Sequence, residues 1–308
     1  MISKKIPHTL SPVSVFVYKR LDTVKQVIDN LCQCKYAEQS ELYIFSDGPK
    51  NDNDLSIIEE LRDYLKKIIG FKKVHLTFSE TNKGLATSII EGVNVVLRAH
   101  KSVIVLEDDL IPSSNFLAYM NQALSFFKDN EKIFTISGFT VPMPRSIEYP
   151  YDNYFTRRMS SWGWATWENR WTDIDWQVSD YSFFKEDKVQ RRAFNAMGSD
   201  LSQMLDRQMR GDINSWAIRC CFHQFKNDLY SVYPLVSKID NIGFGSTATN
   251  TKEKFNRYAT DLDRSDQYNF SFNPNIELIK NFVNKFISTY SIKTRIFYKI
   301  LNKFVFLK

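Results

Sequence analysis

The chain has 308 residues, 43% of them apolar and 25% charged, which suits a globular protein of one large domain or one domain with an appendage. The net charge of +6 has one address: residues 276–308 carry Lys280, Lys285, Lys293, Arg295, Lys299, Lys303 and Lys308 against Glu277, and seven bases less one acid account for the whole excess. The remaining chain is neutral, which argues against nucleic-acid binding by the main body.

In chain order, 13–18 (VSVFVY) is a short apolar strand, and 21–31 places Leu21, Val24, Val27, Ile28 and Leu31 at helical spacing. A second strand at 41–48 ends on Asp47-Gly48, and a second helical stripe (Leu55, Ile58, Leu61, Leu65, Ile68) follows. A third strand (74–80), a third helix (84–99) and a fourth strand (102–109) complete the alternation, and Pro112 with Ser113-Ser114 predicts the start and cap of a helix to about Phe127. Residues 133–139 form a short strand, 140–180 read as irregular and 181–230 as helical; 229–251 then mix a strand with a Gly-containing loop. Strands alternating with helices predict an α/β fold, a mostly parallel sheet with helices on both faces, and ligands bind such sheets beyond the carboxyl ends of the strands. The simplest division is one domain over 1–270, with a ligand-binding half (1–140) and a second α+β half (141–270), followed by a basic amphipathic tail over 271–308. Such a tail can lie on an anionic membrane surface, or pack on its own domain with its lysines in water.

Cys32, Cys34, Cys220 and Cys221 match no zinc spacing and read as reduced thiols of a cytoplasmic protein. The five-residue apolar run at 13–17 is too short for a signal-peptide core, and no stretch reaches transmembrane length. His8, His75, His100 and His223 sit in no nucleophile context, and no phosphate-loop motif is present.

Chemistry concentrates where the fourth strand runs into Glu107, Asp108 and Asp109. Hard divalent cations such as Mg²⁺ and Mn²⁺ prefer carboxylate oxygen and share one or two carboxylates with substrate phosphates. The competing reading, a charge cluster favouring the next helix, gains only about 0.3–1 kcal/mol per charge while three adjacent acids repel one another. Asp47 either receives a nucleobase N–H or opens an Asx turn before Gly48-Pro49. Arg20 and Lys83 follow strands, where they neutralise phosphate or stand as solvated surface charges.

Strand, helix, YIFSDG, helix, TNKGLATS, helix, VIVLEDD, then IFTISGF and SSWGWATWENRW together resemble the GT-A nucleotide-sugar glycosyltransferases, among them the group similar to N-acetylglucosaminyltransferase I. The resemblance spans roughly 12–250 and is strongest at 103–139. It implies a metal-dependent inverting enzyme that moves a hexose or N-acetylhexosamine from a UDP-sugar to a saccharide acceptor in surface-polysaccharide synthesis, with Asp109 as the ligand of Mn²⁺ or Mg²⁺. By the same resemblance Asp108 lies near the ribose or sugar, Glu107 supports the turn, Asp47 faces the uracil and Arg20 contacts the nucleotide. A membrane-leaning tail fits a lipid-linked acceptor at the inner face of the cell membrane.

A base must take the acceptor proton. The segment RGDINSWAIR offers Asp212, with Trp216 one helical turn on to raise its pKa by desolvation, although Asp212 equally suits the cap of a helix beginning at Ile213; Asp173, Asp175 and Asp206 are the runners-up. Trp164, Trp167 and Trp171 follow one helical face and read as core, whereas Trp162, before Gly163, and Trp216 are placed to stack on a sugar. Related sequences often carry a histidine near the end of the NIGFGSTATNT loop; here the residue is Asn250, which puts contact from that loop to metal or phosphate in question. Two other functions compete: a non-catalytic glycan- or nucleotide-sugar-binding protein on the same fold, and a two-carboxylate glycoside hydrolase.

Overall fold

The structure, a computed structural model, describes residues 9–144, 149–244 and 255–305. Strands β1 (Val13–Val17), β2 (Glu41–Ser46), β3 (Lys73–Phe78) and β4 (Ser102–Glu107) alternate with helices α1 (Leu21–Cys32), α2 (Leu55–Leu65) and α3 (Leu85–Ala99), as their periods predict. All five residues of β1 are buried, the continuous apolar signature of a strand covered on both faces. β4 stops at Glu107, so Asp108 and Asp109 occupy the turn into β5 (Leu110–Pro112) and escape the alternation that would send neighbouring side chains to opposite faces. Helix α4 starts later than expected, at Phe116 (Phe116–Phe127), because Pro112 is held in β5, which pairs antiparallel with a distant strand.

Beyond α4 come β6 (Ile133–Ser137), β7 (Asn153–Thr156), β8 (Trp164–Trp167), α5 (Glu168–Trp171), α6 (Tyr181–Glu186), α7 (Lys188–Phe194), α8 (Leu201–Met209) and α9 (Trp216–Lys226). The chain continues through β9 (Tyr230–Pro234) and β10 (Ile239–Asn241) to α10 (Lys280–Tyr290) and α11 (Ile292–Val305). One eight-stranded sheet runs β3-β2-β1-β4-β8-β6-β9-β7, and β10 pairs with β5 in a second ladder. Four pairings of the large sheet are parallel, and β8 is antiparallel to both β4 and β6.

The region 140–180 thus holds two strands that its sequence does not announce. Both are four residues long and wholly buried, so neither shows a period of two. Trp164 and Trp167 accordingly lie on β8 rather than on one helix with Trp171, though all three are core as expected. Trp164 stacks on Trp171 at 5.4 Å and on Trp216 at 4.9 Å, which joins β8 to the start of α9.

The tail divides in two. Phe282, Phe286 and Tyr290 of α10 are buried, with Phe282 against Tyr154 and Phe286 against Tyr233, so this helix completes the core at the β7 edge. Helix α11 leaves Ile292, Ile296, Phe297 and Ile300 exposed. No helix among the described residues is long and apolar enough to cross a membrane.

One buried ion pair ties these elements together. Arg158, just past β7, donates to both oxygens of Asp200 at 2.8 and 3.0 Å, with its guanidinium 3.9 Å from the Tyr290 ring centre. Burial works against ionising Asp200, but the Arg158 charge and its hydrogen bonds outweigh it and hold the carboxyl below its ordinary value. The stability this pair contributes is therefore present above the unfolded carboxyl pKa of about 3.9 and is lost as pH falls through the lower folded value. Asp200→Ala strands a buried guanidinium and should cost about 3–5 kcal/mol in a denaturant titration at neutral pH, with the deficit shrinking in strong acid.

Candidate active site

The carboxyl ends of β1, β2 and β4 open into a cavity of about 390 Å³, within the range for small-molecule sites. Its apolar wall includes Phe16 and Phe45, stacked at 4.9 Å. Gly92 of α3 permits that stack, since a Cβ there would come within 2.6 Å of the Phe16 ring.

Arg20, between β1 and α1, reaches across to the acid triplet. Its Nη2 donates to Asp108 Oδ1 and, at 2.9 Å, to Asp109 Oδ2. Burial opposes the Arg20 charge, yet the two aspartates raise its pKa further above the ordinary guanidinium value. Burial pushes Glu107 up to about 8, helped by Asp109 and Asp108 and resisted by Arg20. Asp108 is also raised, first by burial, with Arg20 pulling against it. Two carboxyl groups thus pair with one guanidinium, and the third, Glu107, feels its charge without a contact.

Asp47 holds two loops together. Its Oδ1 accepts from the N–H groups of Gly48 and Lys83, both at 2.9 Å, and its Oδ2 accepts from Gly84 N–H and Asn82 Nδ2, both at 3.0 Å. Gly84 adopts φ +75°, open to glycine without strain, which turns its N–H toward the carboxylate at the start of α3. With two donors on each oxygen, a nucleobase N–H must displace one of them, and Asn82 supplies the only side-chain donor of the four. Lys83 contributes its backbone here; its ammonium pairs with Glu91 at 2.7 Å outside the cavity.

The far wall comes from β10, whose pairing with β5 sets Asn241 opposite Leu110. Ile242 N–H donates to Asp109 O at 3.0 Å, and a Cβ on Gly243 would fall 2.0 Å from Asp109 Oδ2. Tyr18, Lys50, Asn82, Asn241, Gly243 and Phe244 also line the cavity. The sequence marked Asn241, Gly243 and Phe244 only as part of the NIGFGSTATNT loop, whose glycines and hydroxyls suit a cover over the donor, and Asn82 only as part of TNKGLATS; Tyr18 and Lys50 were assigned no role. Residues 245–251 of the Gly-containing loop, Asn250 among them, lie outside the described residues, as does His8.

Trp162 is a partition. It lines the cavity, meets Phe139, Tyr258 and Phe244 edge-on at 4.6, 5.3 and 5.7 Å, and walls a second cavity of about 160 Å³ that also touches Arg158, Ser161 and Tyr290. Gly163, at φ +57°, lets the chain behind Trp162 pass Ile239. Trp216 is 3% exposed in the tryptophan stack and has no face to offer a sugar.

Asp212 lines neither cavity. It precedes α9, whose cap is Ser215 rather than Asp212, so it shares no helix face with Trp216. Its half-exposed carboxylate accepts from Arg210 at 2.7 Å. Asp206 is paired with Arg191 at 2.7 Å. Asp173 and Asp175 line a separate cavity of about 540 Å³ beside Glu131 and Leu229, at the amino-terminal end of β6 and β9.

Among the described residues no group of three or more His, Cys, Asp or Glu side chains is arranged to hold a metal by itself. The triplet's surplus of negative charge over Arg20, with Asp109 at the cavity edge, instead fits a cation completed by the phosphates of a ligand.

The profile of Glycosyl transferase family 2 matches residues 13–184, more than half of the chain and all the strands that build this cavity except β10. The chain belongs to glycosyl transferase family 2. Similar solved structures include the mannosyltransferase PcManGT from Pyrobaculum calidifontis in complex with GDP-Man and Mn2+, 14% identical over 53% of this chain and 48% of that one, with a TM-score of 0.34. Another is S. aureus TarS 1-349, 11% identical over 75% of this chain and 60% of that one, with a TM-score of 0.39. The chain spans less than two thirds of either of these structures. None of the curated proteins is a significant match. The fold is thus the GT-A type that the motifs around β4 imply.

The approach of Gly243 to Asp109 can be tested directly. Gly243→Ala drives its methyl into Oδ2 and should rotate Asp109 away from Arg20. Affinity for UDP with Mn²⁺, the ligand proposed below, should fall roughly tenfold in calorimetry, about the energy of one charge-assisted contact, with the fold retained by circular dichroism.

Proposed function

We propose that this glycosyltransferase is metal-dependent and inverting, and moves a hexose or N-acetylhexosamine from a UDP-sugar to a lipid-linked saccharide acceptor in surface-polysaccharide synthesis. It would work at the inner face of the cell membrane, held by residues 276–308. One observation carries the donor reading: a cluster of three carboxyl groups, two of them paired with the single guanidinium of Arg20, and the loop-anchoring Asp47 line the same cavity. A diphosphate needs a cation at the first, and a base with an N–H can be read at the second.

Asp109, with Asp108 beside it, would hold Mn²⁺ or Mg²⁺, and the motif around β4, which resembles the N-acetylglucosaminyltransferase I group, supports that choice. Bound there, the ion would neutralise the charge that develops on the departing nucleoside diphosphate. Arg20 keeps the two aspartates in place, and Glu107, largely neutral while its pKa stands near 8, adds little repulsion. Asp47 reads the base once Asn82 gives way. Trp162 and Gly163 separate the donor from the second cavity, where an acceptor ring can rest on the aromatic walls. The acceptor oxygen then bonds to the anomeric carbon as the carbon–phosphate-oxygen bond breaks, and its proton passes to a carboxylate.

Asp212 remains the residue proposed for that proton. Its exposed pair with Arg210 opposes release by only about 0–1 kcal/mol, so the carboxylate can be freed by a movement of the 210–215 turn. A hydrolase that uses two carboxylates finds no support in a cavity whose acids cluster beside a guanidinium.

UDP with Mn²⁺ should raise the melting temperature by a few degrees, equivalent to about 2.7 kcal/mol at a hundredfold excess over Kd. EDTA should remove most of that rise, and Asp109→Ala should show little of it. UDP release from a panel of UDP-sugars separates an enzyme from a binding protein. Asp212→Asn should abolish turnover with UDP binding intact, and near wild-type turnover would remove it as the base.

A further inference from the structure

Helix α11 presents an unusual outer face. Every exposed side chain described on it is an isoleucine, a phenylalanine or a lysine: Ile292, Lys293, Ile296, Phe297, Lys299, Ile300 and Lys303. Ile292, Ile296 and Ile300 stand at i, i+4 and i+8, so they form one stripe; Lys299 lies on one side of it, Lys293 and Phe297 on the other, and Lys303 closes it at the carboxyl end of the helix. Neither α10 nor α11 contains an acid. The inner side is tied to the body: Asn302 exchanges hydrogen bonds with the Phe255 backbone at 2.8 and 3.1 Å, and Arg295 donates to Ser199 Oγ at 3.4 Å. The face is therefore fixed in place with nothing of this chain over it among the described residues.

We propose that α11 lies flat on an anionic lipid bilayer and holds the small cavity behind Trp162 at that surface. The apolar stripe would enter the acyl boundary while the lysines meet headgroup phosphates, the division of an interfacial helix. A nucleic acid or acidic protein would satisfy the lysines and leave the isoleucines stranded. A second copy of the same face would set lysine against lysine. The link to the cavity is one residue long: Tyr290 ends α10 and lines that cavity, Ser291 is extended, and α11 begins at Ile292. A bilayer under α11 thus lies beside the chamber that Trp162 separates from the donor cavity, where a lipid-linked acceptor would enter. The lipid contact narrows the membrane placement proposed above to one face of α11, and this last step rests in addition on the proposed transferase reading.

Because α10 belongs to the core, the test uses the full chain with substitutions confined to the exposed face. Co-sedimentation with phosphatidylcholine vesicles, with and without phosphatidylglycerol, should show binding only when the anionic lipid is present, weakening as salt rises. Ile296→Glu/Ile300→Glu and Lys299→Glu/Lys303→Glu should each lower the partition coefficient roughly tenfold or more, with UDP affinity and melting temperature unchanged. In a Cys32→Ser background, a fluorophore at Ser161→Cys on the cavity wall should be quenched by headgroup-spin-labelled lipid, and one at Ile69→Cys, near the β3 edge of the sheet, should not. Equal binding by wild type and variants, equal binding to neutral vesicles, or a dimer that the same variants abolish would overturn the lipid surface. Equal quenching at both positions would overturn the placement of the cavity. Wild-type protein that binds vesicles but not UDP would overturn the donor reading and leave the lipid surface standing.

Discussion

Arg20 holds Asp108 and Asp109 where the chain leaves its central parallel strand, and the architecture around the cavity serves that contact. Three adjacent acids at the mouth of a buried sheet repel one another and lose hydration, so without a counter-charge the turn between β4 and β5 would open. The guanidinium comes from the neighbouring strand because β1 and β4 are hydrogen-bonded in parallel, with Phe16 level with Glu107. Parallel register places both carboxyl ends on the same side, so the residue after one strand can reach the turn after the other. An antiparallel neighbour could not place Arg20 there.

A single guanidinium nevertheless leaves the cluster short of positive charge. The response is visible in Glu107, whose pKa burial and its acidic neighbours push up to about 8. The site thus tolerates its own charge by keeping one acid largely protonated and two paired. Such an arrangement suits a ligand that brings further positive charge when it arrives. The aspartate at the other end is managed differently. Asp47 spends its acceptor capacity on backbone N–H groups and on Asn82, which makes it a brace for two loops before it is a contact for any ligand.

The second half of the chain builds the walls. Trp162 stands between the two cavities because Gly163, at positive φ, lets the chain turn against Ile239. Four tryptophans pack behind it, with Trp171 meeting both Trp164 and Trp176. The buried Arg158–Asp200 pair lies under the Tyr290 ring and so connects the second cavity to the C-terminal helices. Core, cavity wall and the base of α11 are in this way one continuous packing arrangement.

The alternation of strand and helix through residue 127 was legible because amphipathic helices such as α1 and α2 print a 3.6-residue period and buried parallel strands print apolar runs. The clustering of the acid triplet, Asp47 and Arg20 at strand ends was legible for a related reason, because charge that closes an apolar strand stands out in the sequence; that Arg20 pairs with Asp108 and Asp109 and that Asp47 braces two loops was not. Strands β7 and β8 were not, since four-residue strands buried on both faces carry no period. Trp216 and Asp212 were misplaced relative to each other because a turn, whose course depends on Gly211 at φ +78°, intervenes where helix was expected. Sequence alone determined which residues are charged and which elements form locally, because those depend on near neighbours. Only the tertiary structure decided that Gly243 presses on Asp109, that Trp162 divides two cavities, and that α10 is core while α11 is surface. Each of those facts is a contact between segments far apart in the chain, and no local pattern encodes a long-range contact.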